Sequence, residues 1–228
     1  MLEQELQLER DLFLFLNGTH SLFLDNVMYI YTQMITWLPW ILCFLFVFIY
    51  KKNWKEIVLV ILAVALVFLL CDQLSSLVKS HFHRFRPTHH PDFRDVVHTV
   101  FNYRGGRYGF FSGHATNTFG IATFVSLLFR NKILSITMFL FALLTIYSRI
   151  YLGVHFISDT VVGALVGSLI GYLIYRLYRF SRCKWLKVEK TGTELLFSTW
   201  KSNFLCGVFI VHLTILLLFS SQLIKVLF

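Results

Sequence analysis

Charged side chains are scarce in this chain, and their scarcity limits what the protein can be. Asp, Glu, Lys and Arg make up 14% of the 228 residues, whereas hydrophobic residues make up 57%. In an ordinary soluble domain about a quarter of the residues are charged. The composition therefore excludes that class and indicates a polytopic membrane protein. At about 20 residues for each span, the length allows about six spans and no additional soluble domain. We therefore treat residues 1–228 as one membrane-embedded domain.

Cysteines with the spacing of a metal or disulfide framework are also lacking. The four cysteines lie within or beside apolar runs without a CxxC pair, at Cys43, Cys71, Cys183 and Cys206. This pattern indicates neither a zinc site nor a set of disulfides. The chain start lacks the basic residues and apolar run of a cleavable signal peptide, because Glu3, Glu5 and Glu9 occupy it. We expect the first span to serve as the insertion signal.

Acidic residues are outnumbered, which leaves a net charge of +9. In a soluble protein this surplus would suggest nucleic acid as a partner, but here the basic residues cluster in short loops between apolar runs. We therefore expect the partner to be the lipid bilayer and not nucleic acid. No obligate protein partner is predicted.

The apolar runs predict an all-α fold, a polytopic membrane helix bundle of about six transmembrane helices. The expected spans are residues 27–50, 57–78, 113–129, 133–147, 156–175 and 204–223. A bend is expected in the first span near Trp37, Pro39 and Trp40. Residues 2–16 mix leucines with acids and glutamines, a pattern typical of an amphipathic helix that lies in the membrane interface.

The distribution of Lys and Arg predicts the orientation of the bundle. The loops at 51–56, 130–132 and 176–203 share one side and contain twelve Lys and Arg residues, against nine on the other side. Three of those nine are the candidate anion ligands described below. Because the reaction would need them in either orientation, they carry no information about topology. The positive-inside rule then places the twelve in the cytoplasm, and both termini and the polar loop 79–112 outside.

A polar segment at 148–159 interrupts two long apolar runs and contains Arg149, His155 and Asp159. Ionisable residues at membrane depth are costly and usually functional. If His155 opens a helix, Asp159 lies one turn further along the same face, where it can orient the imidazole for nucleophilic attack. Arg149 offers a planar set of donors suited to phosphate. Mutual pairing at a packing interface, or a transport path, would also explain these three residues.

Two further clusters are expected on the same side of the membrane. Lys79 ends the second span and Arg86 precedes Pro87, so two cations can converge on one anion. A snorkelling lysine in a solvated basic loop would explain them too. Ser112, Gly113 and His114 open the next span, where free backbone N–H groups favour a phosphate. That group also fits an ordinary helix cap beside a core histidine.

Together the three clusters resemble the motifs of the type 2 phosphatidic acid phosphatase superfamily, KxxxxxxRP, PSGH and SRxxxxxHxxxD. They occupy residues 79–87, 111–114 and 148–159 in the family's order and with its internal spacing. The one departure is Phe111, where the family usually has proline, and it affects only the rigidity of the turn before Ser112. The resemblance covers a catalytic core of about 57–175.

The resemblance implies a role for each matching residue. His155 would attack phosphorus to give a phosphohistidine, Asp159 would hold its tautomer, and His114 would protonate the departing oxygen and later activate water. The implied ligands of the phosphoryl oxygens are Lys79, Arg86, Ser112, Gly113 and Arg149. No metal and no other cofactor is expected, because the cations supply the charge that magnesium supplies in other phosphoryl-transfer enzymes. The histidines at 81, 83, 89 and 90 fit a solvated loop better than a metal site.

A site at membrane depth predicts a phosphorylated membrane lipid as the substrate. Our first expectation is a bacterial inner-membrane phosphatase that acts on a polyprenyl diphosphate such as undecaprenyl diphosphate, or on a related phospholipid, with its site facing the periplasm. Lipid A phosphatases and phosphatidylglycerophosphate phosphatases share the motifs and remain alternatives. A small transporter that uses the same charges is the alternative from a different class.

Overall fold

The computed structural model describes residues 2–187 and 196–227. Within these ranges the chain forms eight α-helices and two short 3-10 turns, and no β-strand occurs there. The helices are α1 (Leu2–Asn17), α2 (Leu22–Thr32), α3 (Leu38–Ile49), α4 (Trp54–Phe82), α5 (Gly113–Phe129), α6 (Lys132–Tyr151), α7 (Ile157–Leu186) and α8 (Thr199–Leu227). The predicted all-α membrane bundle is confirmed.

Short polar residues begin several of these helices. The side chains of Ser21, Asn53, Ser112 and Asn131 each accept a backbone N–H of the first turn of α2, α4, α5 and α6, respectively. Such caps satisfy N–H groups that have no partner inside the helix. Each of these four helices therefore begins at a residue whose side chain takes the place of the backbone carbonyl that the first turn lacks.

Four described helices, namely α4, α6, α7 and α8, are long and apolar enough to cross a membrane. A fifth span is formed if α2 and the segment Met34–Ile49 are one broken span, which bends by 74°. The bend lies in the predicted region and contains a 3-10 turn, Met34–Trp37. The remaining predicted span, 113–129, is α5, whose 17 residues are near the lower limit for crossing a bilayer.

The structure corrects the predicted end of the fifth hydrophobic run. We expected a loop from 176, but α7 continues to Leu186 and α8 begins at Thr199. Arg182 is thus helical, and it donates to Glu56 near the start of α4 at 2.8 Å, while Tyr178 donates to the same carboxylate. These bonds stabilise the extra turns of α7. Residues 188–195 of the predicted basic loop lie outside the described residues.

The predicted amphipathic helix is α1, and it packs onto the bundle. Phe13 is fully buried against Phe93 and Phe156, whereas Leu8 and Phe15 are exposed. The end of α1 is tied down by Asn17, whose Nδ2 donates to the carbonyl of Tyr151 at 2.8 Å and whose Oδ1 accepts the N–H of His98 at 2.9 Å. The contacts at Phe13 and Asn17 place α1 beside the loop that joins α6 and α7.

Helix α5 lies in the middle of the bundle and packs most closely on α7. Glycines spaced four residues apart on α7 face α5. A β-carbon at Gly167 would stand 2.2 Å from the carbonyl oxygen of Thr116, and one at Gly171 would stand 2.2 Å from that of Gly120. The absence of side chains there brings the two backbones together, as in other close membrane helix pairs. The first turns of α5 and α7 therefore lie side by side.

Candidate active site

The ends of four helices bring the predicted residues together. Lys79 is in the last turn of α4, Arg149 is in the last turn of α6, and Asp159 is in the first turn of α7. Ser112 caps α5, so Gly113 and His114 are its first two residues. Arg86 comes from the polar segment after α4, and His155 from the turn between α6 and α7. The three sequence clusters thus form one site at one end of the bundle.

His155 and Asp159 form the buried pair that their spacing predicted. The exposed fraction is 1% for His155 and 0% for Asp159. Nδ1 of His155 lies 3.3 Å from Oδ2 of Asp159, which also accepts the backbone N–H of Phe156 at 3.1 Å. A carboxylate next to Nδ1 favours the tautomer with its proton on that nitrogen and leaves the lone pair on Nε2. Nε2 is therefore the atom available for attack.

The surroundings keep this imidazole neutral. Burial, reinforced by the charges of Arg86 and Arg149, holds the pKa of His155 well below its usual range. Nη1 of Arg86 lies 3.1 Å from Nε2 of His155, so the guanidinium can donate to the lone pair. An oxyanion that draws Arg86 to itself would release the lone pair of His155 beside the bound phosphorus.

The three candidate anion ligands converge without carboxylate partners. Among the described residues, no Asp or Glu oxygen lies within ion-pair distance of Lys79, Arg86 or Arg149. Burial, together with the charge of Arg149, lowers the pKa of Arg86 to about 10. Like charges held close together repel one another unless an anion joins them, so the arrangement favours binding of a polyanionic group such as phosphate.

Neutral groups hold each of these cations in place. Arg149 is 1% exposed and donates from Nη1 to the hydroxyl of Thr32 at 2.7 Å and from Nη2 to that of Tyr103 at 3.1 Å. Its Nε is buried and has no partner within the described part of the chain, which leaves one donor for a ligand. Lys79 donates to the hydroxyl of Ser75 at 2.7 Å. Sequence reasoning assigned no role to Thr32, Ser75 or Tyr103, since none of them lies in one of the three motifs.

The start of α5 faces these cations. A β-carbon at Gly113 would stand 3.2 Å from the Ser75 hydroxyl oxygen and 3.5 Å from Nζ of Lys79, so glycine keeps the backbone close to the ammonium. The N–H of Ser112 donates to the carbonyl of Asp159 at 2.9 Å, which joins the first turns of α5 and α7. His114 is exposed at the start of α5. Its imidazole is therefore open to solvent.

The histidine-rich loop is not a metal cluster in the described ranges. No three His, Cys, Asp or Glu residues there lie close enough to hold one ion. His83 instead packs edge-on against Tyr108, and His89 lies 3.1 Å from the hydroxyl of Thr88. Metal independence of the reaction stays a prediction.

Fold and site together define a class of membrane-embedded helix bundle in which three clustered cations face a neutral histidine oriented by an aspartate. Comparison with known proteins identifies the family. The chain belongs to the PAP2 superfamily, whose family model matches residues 56–183. The resemblance predicted from the three motifs is confirmed, and the protein is a multi-span membrane lipid phosphatase.

Individual relatives differ in how much of the chain they match. A lipid A 4'-phosphatase from Porphyromonas gingivalis is 48% identical over 186 residues, covering 81% of this chain and 79% of that protein. A lipid A 4'-phosphatase from Bacteroides thetaiotaomicron is 37% identical over 177 residues, covering 77% and 79%. An undecaprenyl-diphosphatase from Bacillus subtilis is 33% identical over 81 residues, covering 36% and 40%.

Among solved structures, LpxE from Aquifex aeolicus resembles this chain with a TM-score of 0.59 and 29% identity. The similarity covers 73% of this chain and 93% of that one. The bundle architecture is thus shared over nearly the whole of the Aquifex aeolicus protein.

Proposed function

We propose that this protein removes the 4'-phosphate of lipid A through a phosphohistidine intermediate. The observation that carries the choice of lipid is the match to two lipid A 4'-phosphatases over about four fifths of the chain. The family membership supports an enzyme over the transporter alternative. The clustered cations and the oriented histidine supply the chemistry that removal of a phosphate requires.

The geometry supports a two-step reaction. In the first step, the Nε2 lone pair of His155 forms a bond to phosphorus while the bond from phosphorus to the sugar oxygen breaks. His114, protonated beside the negative charge of the bound phosphate, gives that oxygen its proton. Arg86 and Arg149 stabilise the charge on the phosphoryl oxygens. Asp159 stabilises the imidazole as it becomes positively charged.

The second step returns the enzyme to its starting state. His114, now neutral, takes a proton from water as the water oxygen bonds to phosphorus. The bond from phosphorus to Nε2 of His155 breaks, and inorganic phosphate leaves. The exposed side chain of His114 can exchange a proton with solvent, which suits a residue that acts first as an acid and then as a base.

Undecaprenyl diphosphate, our first expectation from the sequence, is the second candidate substrate. It is supported by the undecaprenyl-diphosphatase match, but that match covers only 36% of the chain. Both candidates present a phosphate at the membrane surface, so the same residues would act on either.

We further propose that the site faces the periplasm in a bacterial inner membrane. The sequence argument is the excess of Lys and Arg at the other end of the bundle. Lys51 and Lys52 lie between α3 and α4, and Lys55 is in the first turn of α4. Arg130 lies between α5 and α6, and Lys132 is the first residue of α6. On α4, α5 and α6, these connections are at the opposite helix ends from the residues of the site.

The test is phosphate release by the purified protein in detergent from lipid A and from undecaprenyl diphosphate, with His155→Ala as the blank. We expect release from lipid A, none from the variant, and labelled phosphate trapped on His155. Release from undecaprenyl diphosphate alone would select the second candidate. Release from neither lipid, or label on another side chain, would refute the proposal.

A further inference from the structure

Two charged residues to which the three motifs assign no role contact the catalytic aspartate and the first turn of its helix. Nη1 of Arg84 donates to Oδ1 of Asp159 at 2.8 Å and to the hydroxyl of Ser158 at 2.6 Å. Nη2 of Arg84 donates to Oε2 of Glu9 at 3.0 Å. Glu9 belongs to α1 and Arg84 to the polar segment after α4, so three distant parts of the chain meet at Asp159.

The carboxylate of Asp159 is held at both of its oxygens. Oδ2 accepts from His155 and from the N–H of Phe156, and Oδ1 accepts from Arg84. Among the described residues, Arg84 is the only Arg or Lys within ion-pair distance of this fully buried carboxylate. Because a buried carboxylate is costly without a cationic partner, Arg84 favours the ionised form that orients the imidazole.

Arg84 differs from the three predicted phosphate ligands, because its guanidinium is paired with carboxylates. Its guanidinium lies over the ring of Phe156, 4.9 Å from the centroid, and contacts two carboxylates. Lys79, Arg86 and Arg149 have no carboxylate partner in the described ranges. This contrast assigns Arg84 to the aspartate and the other three cations to the phosphate.

Glu9 links α1 to the same point by two bonds. Besides its contact with Arg84, its Oε1 accepts the backbone N–H of Ser158 at 2.8 Å. That N–H is in the first turn of α7, where a negative charge is favourable. The burial of Phe13 one turn further along α1 fixes the helix at this position. Glu9 therefore holds two groups in place: the guanidinium of Arg84, which contacts Asp159, and the start of α7, which carries Asp159.

We propose that Glu9 and Arg84 are positioning residues for the reaction, which makes α1 part of the active-site structure. Arg84 keeps Asp159 ionised and aimed at Nδ1 of His155, and Glu9 keeps Arg84 in place. This inference rests on the proposed role of His155 as the nucleophile. A purely structural tie between α1 and the bundle would affect stability without changing the turnover number or its pH dependence.

The test compares Glu9→Gln, Arg84→Gln, Arg84→Lys and the double variant Glu9→Gln/Arg84→Gln. Asp11→Asn is the matched control, since Asp11 is an exposed acid on the same helix. Turnover number and KM are measured across pH with lipid A and with dioctanoyl phosphatidic acid as a monophosphate probe. Size-exclusion chromatography in detergent selects the folded fraction of every variant.

We expect Arg84→Gln to lower kcat by about 100-fold with KM nearly unchanged, since small misplacements of reacting groups have effects of that size. Glu9→Gln should lower kcat by up to about fivefold, the range for a partly exposed ion pair. As the pH falls, activity should be lost at a higher pH in Arg84→Gln, because a carboxylate without its cation takes up a proton more readily. Arg84→Lys should restore part of kcat and of the pH profile.

The double variant tests whether Glu9 acts through Arg84. Glu9→Gln should add little to Arg84→Gln, because coupled residues are not additive. The inference is overturned if both single variants match Asp11→Asn in kcat and pH profile, or if Arg84→Gln raises KM alone, which would make Arg84 a substrate ligand. An inactive wild type would refute the proposed function itself, whereas an active wild type with unaffected variants refutes only the inference.

Discussion

The close contact between α5 and α7 predicts that Gly167→Ala disrupts the active site from a distance. The new β-carbon would stand 2.2 Å from the carbonyl oxygen of Thr116, whereas non-bonded carbon and oxygen atoms approach to about 3.3 Å. The two helices must therefore separate by about 1 Å. Neither side can yield cheaply, because the contacting atom belongs to the backbone of α5.

The separation should affect both stability and activity. Overpacking of this kind costs about 1–3 kcal/mol of the free energy of unfolding. It should also stretch the bond from the Ser112 N–H to the Asp159 carbonyl, which is 2.9 Å long. A shift of about 1 Å between α5, which carries His114, and α7, which carries Asp159, can lower turnover by about 100-fold.

The control for this prediction is Gly207→Ala on α8, where an added β-carbon meets nothing within 4 Å. Alanine is the better helix former, so that variant should be as stable as the wild type or slightly more stable. Thermal unfolding in one detergent and phosphate release from lipid A measure the two effects. A Gly167→Ala protein that melts and turns over like Gly207→Ala would refute the reasoning.

Four further predictions follow from the site and its orientation. Asp159→Asn should fold but turn over at least about 100-fold more slowly, because the imidazole loses its orienting carboxylate; wild-type kcat would contradict this role. Thr32→Val removes an acceptor of Arg149, and kcat/KM should fall by about tenfold; an unchanged value would show that Arg149 is held without it. Activity should survive excess chelator, and a loss that one divalent ion restores would contradict metal independence. In a background without the native cysteines, a membrane-impermeant thiol reagent applied to spheroplasts should label Asp92→Cys and spare Lys187→Cys, and the reverse pattern would place the site in the cytoplasm.

Much of the site was predictable because its chemistry depends on short spacings. Residues four apart on a helix share a face, so the sequence was sufficient to pair His155 with Asp159. Ser112 before an apolar run marks a helix start by its capping chemistry. The convergence of the three clusters was predicted from their resemblance to a family and from the assignment of alternate loops to opposite sides.

The extents of helices were less predictable, because apolar runs define the part of a helix in the bilayer and not its ends. The continuation of α7 to Leu186 depends on Glu56, which lies 126 residues before Arg182 and binds it in the folded chain. The break between α2 and α3 was expected from Pro39 and the tryptophans, but its angle of 74° follows from packing.

The sequence by itself determined the membrane class, the family and the residues that we propose to bind the phosphate, because hydrophobic length and short motif spacings are local properties. Only the tertiary structure decided what holds those residues in place. Thr32 and Arg149 are 117 residues apart, and Glu9 and Arg84 are 75 apart. No periodicity of a helix relates residues so far apart in the sequence. Their contacts exist only because helix packing brings α2 to α6 and α1 to the start of α7.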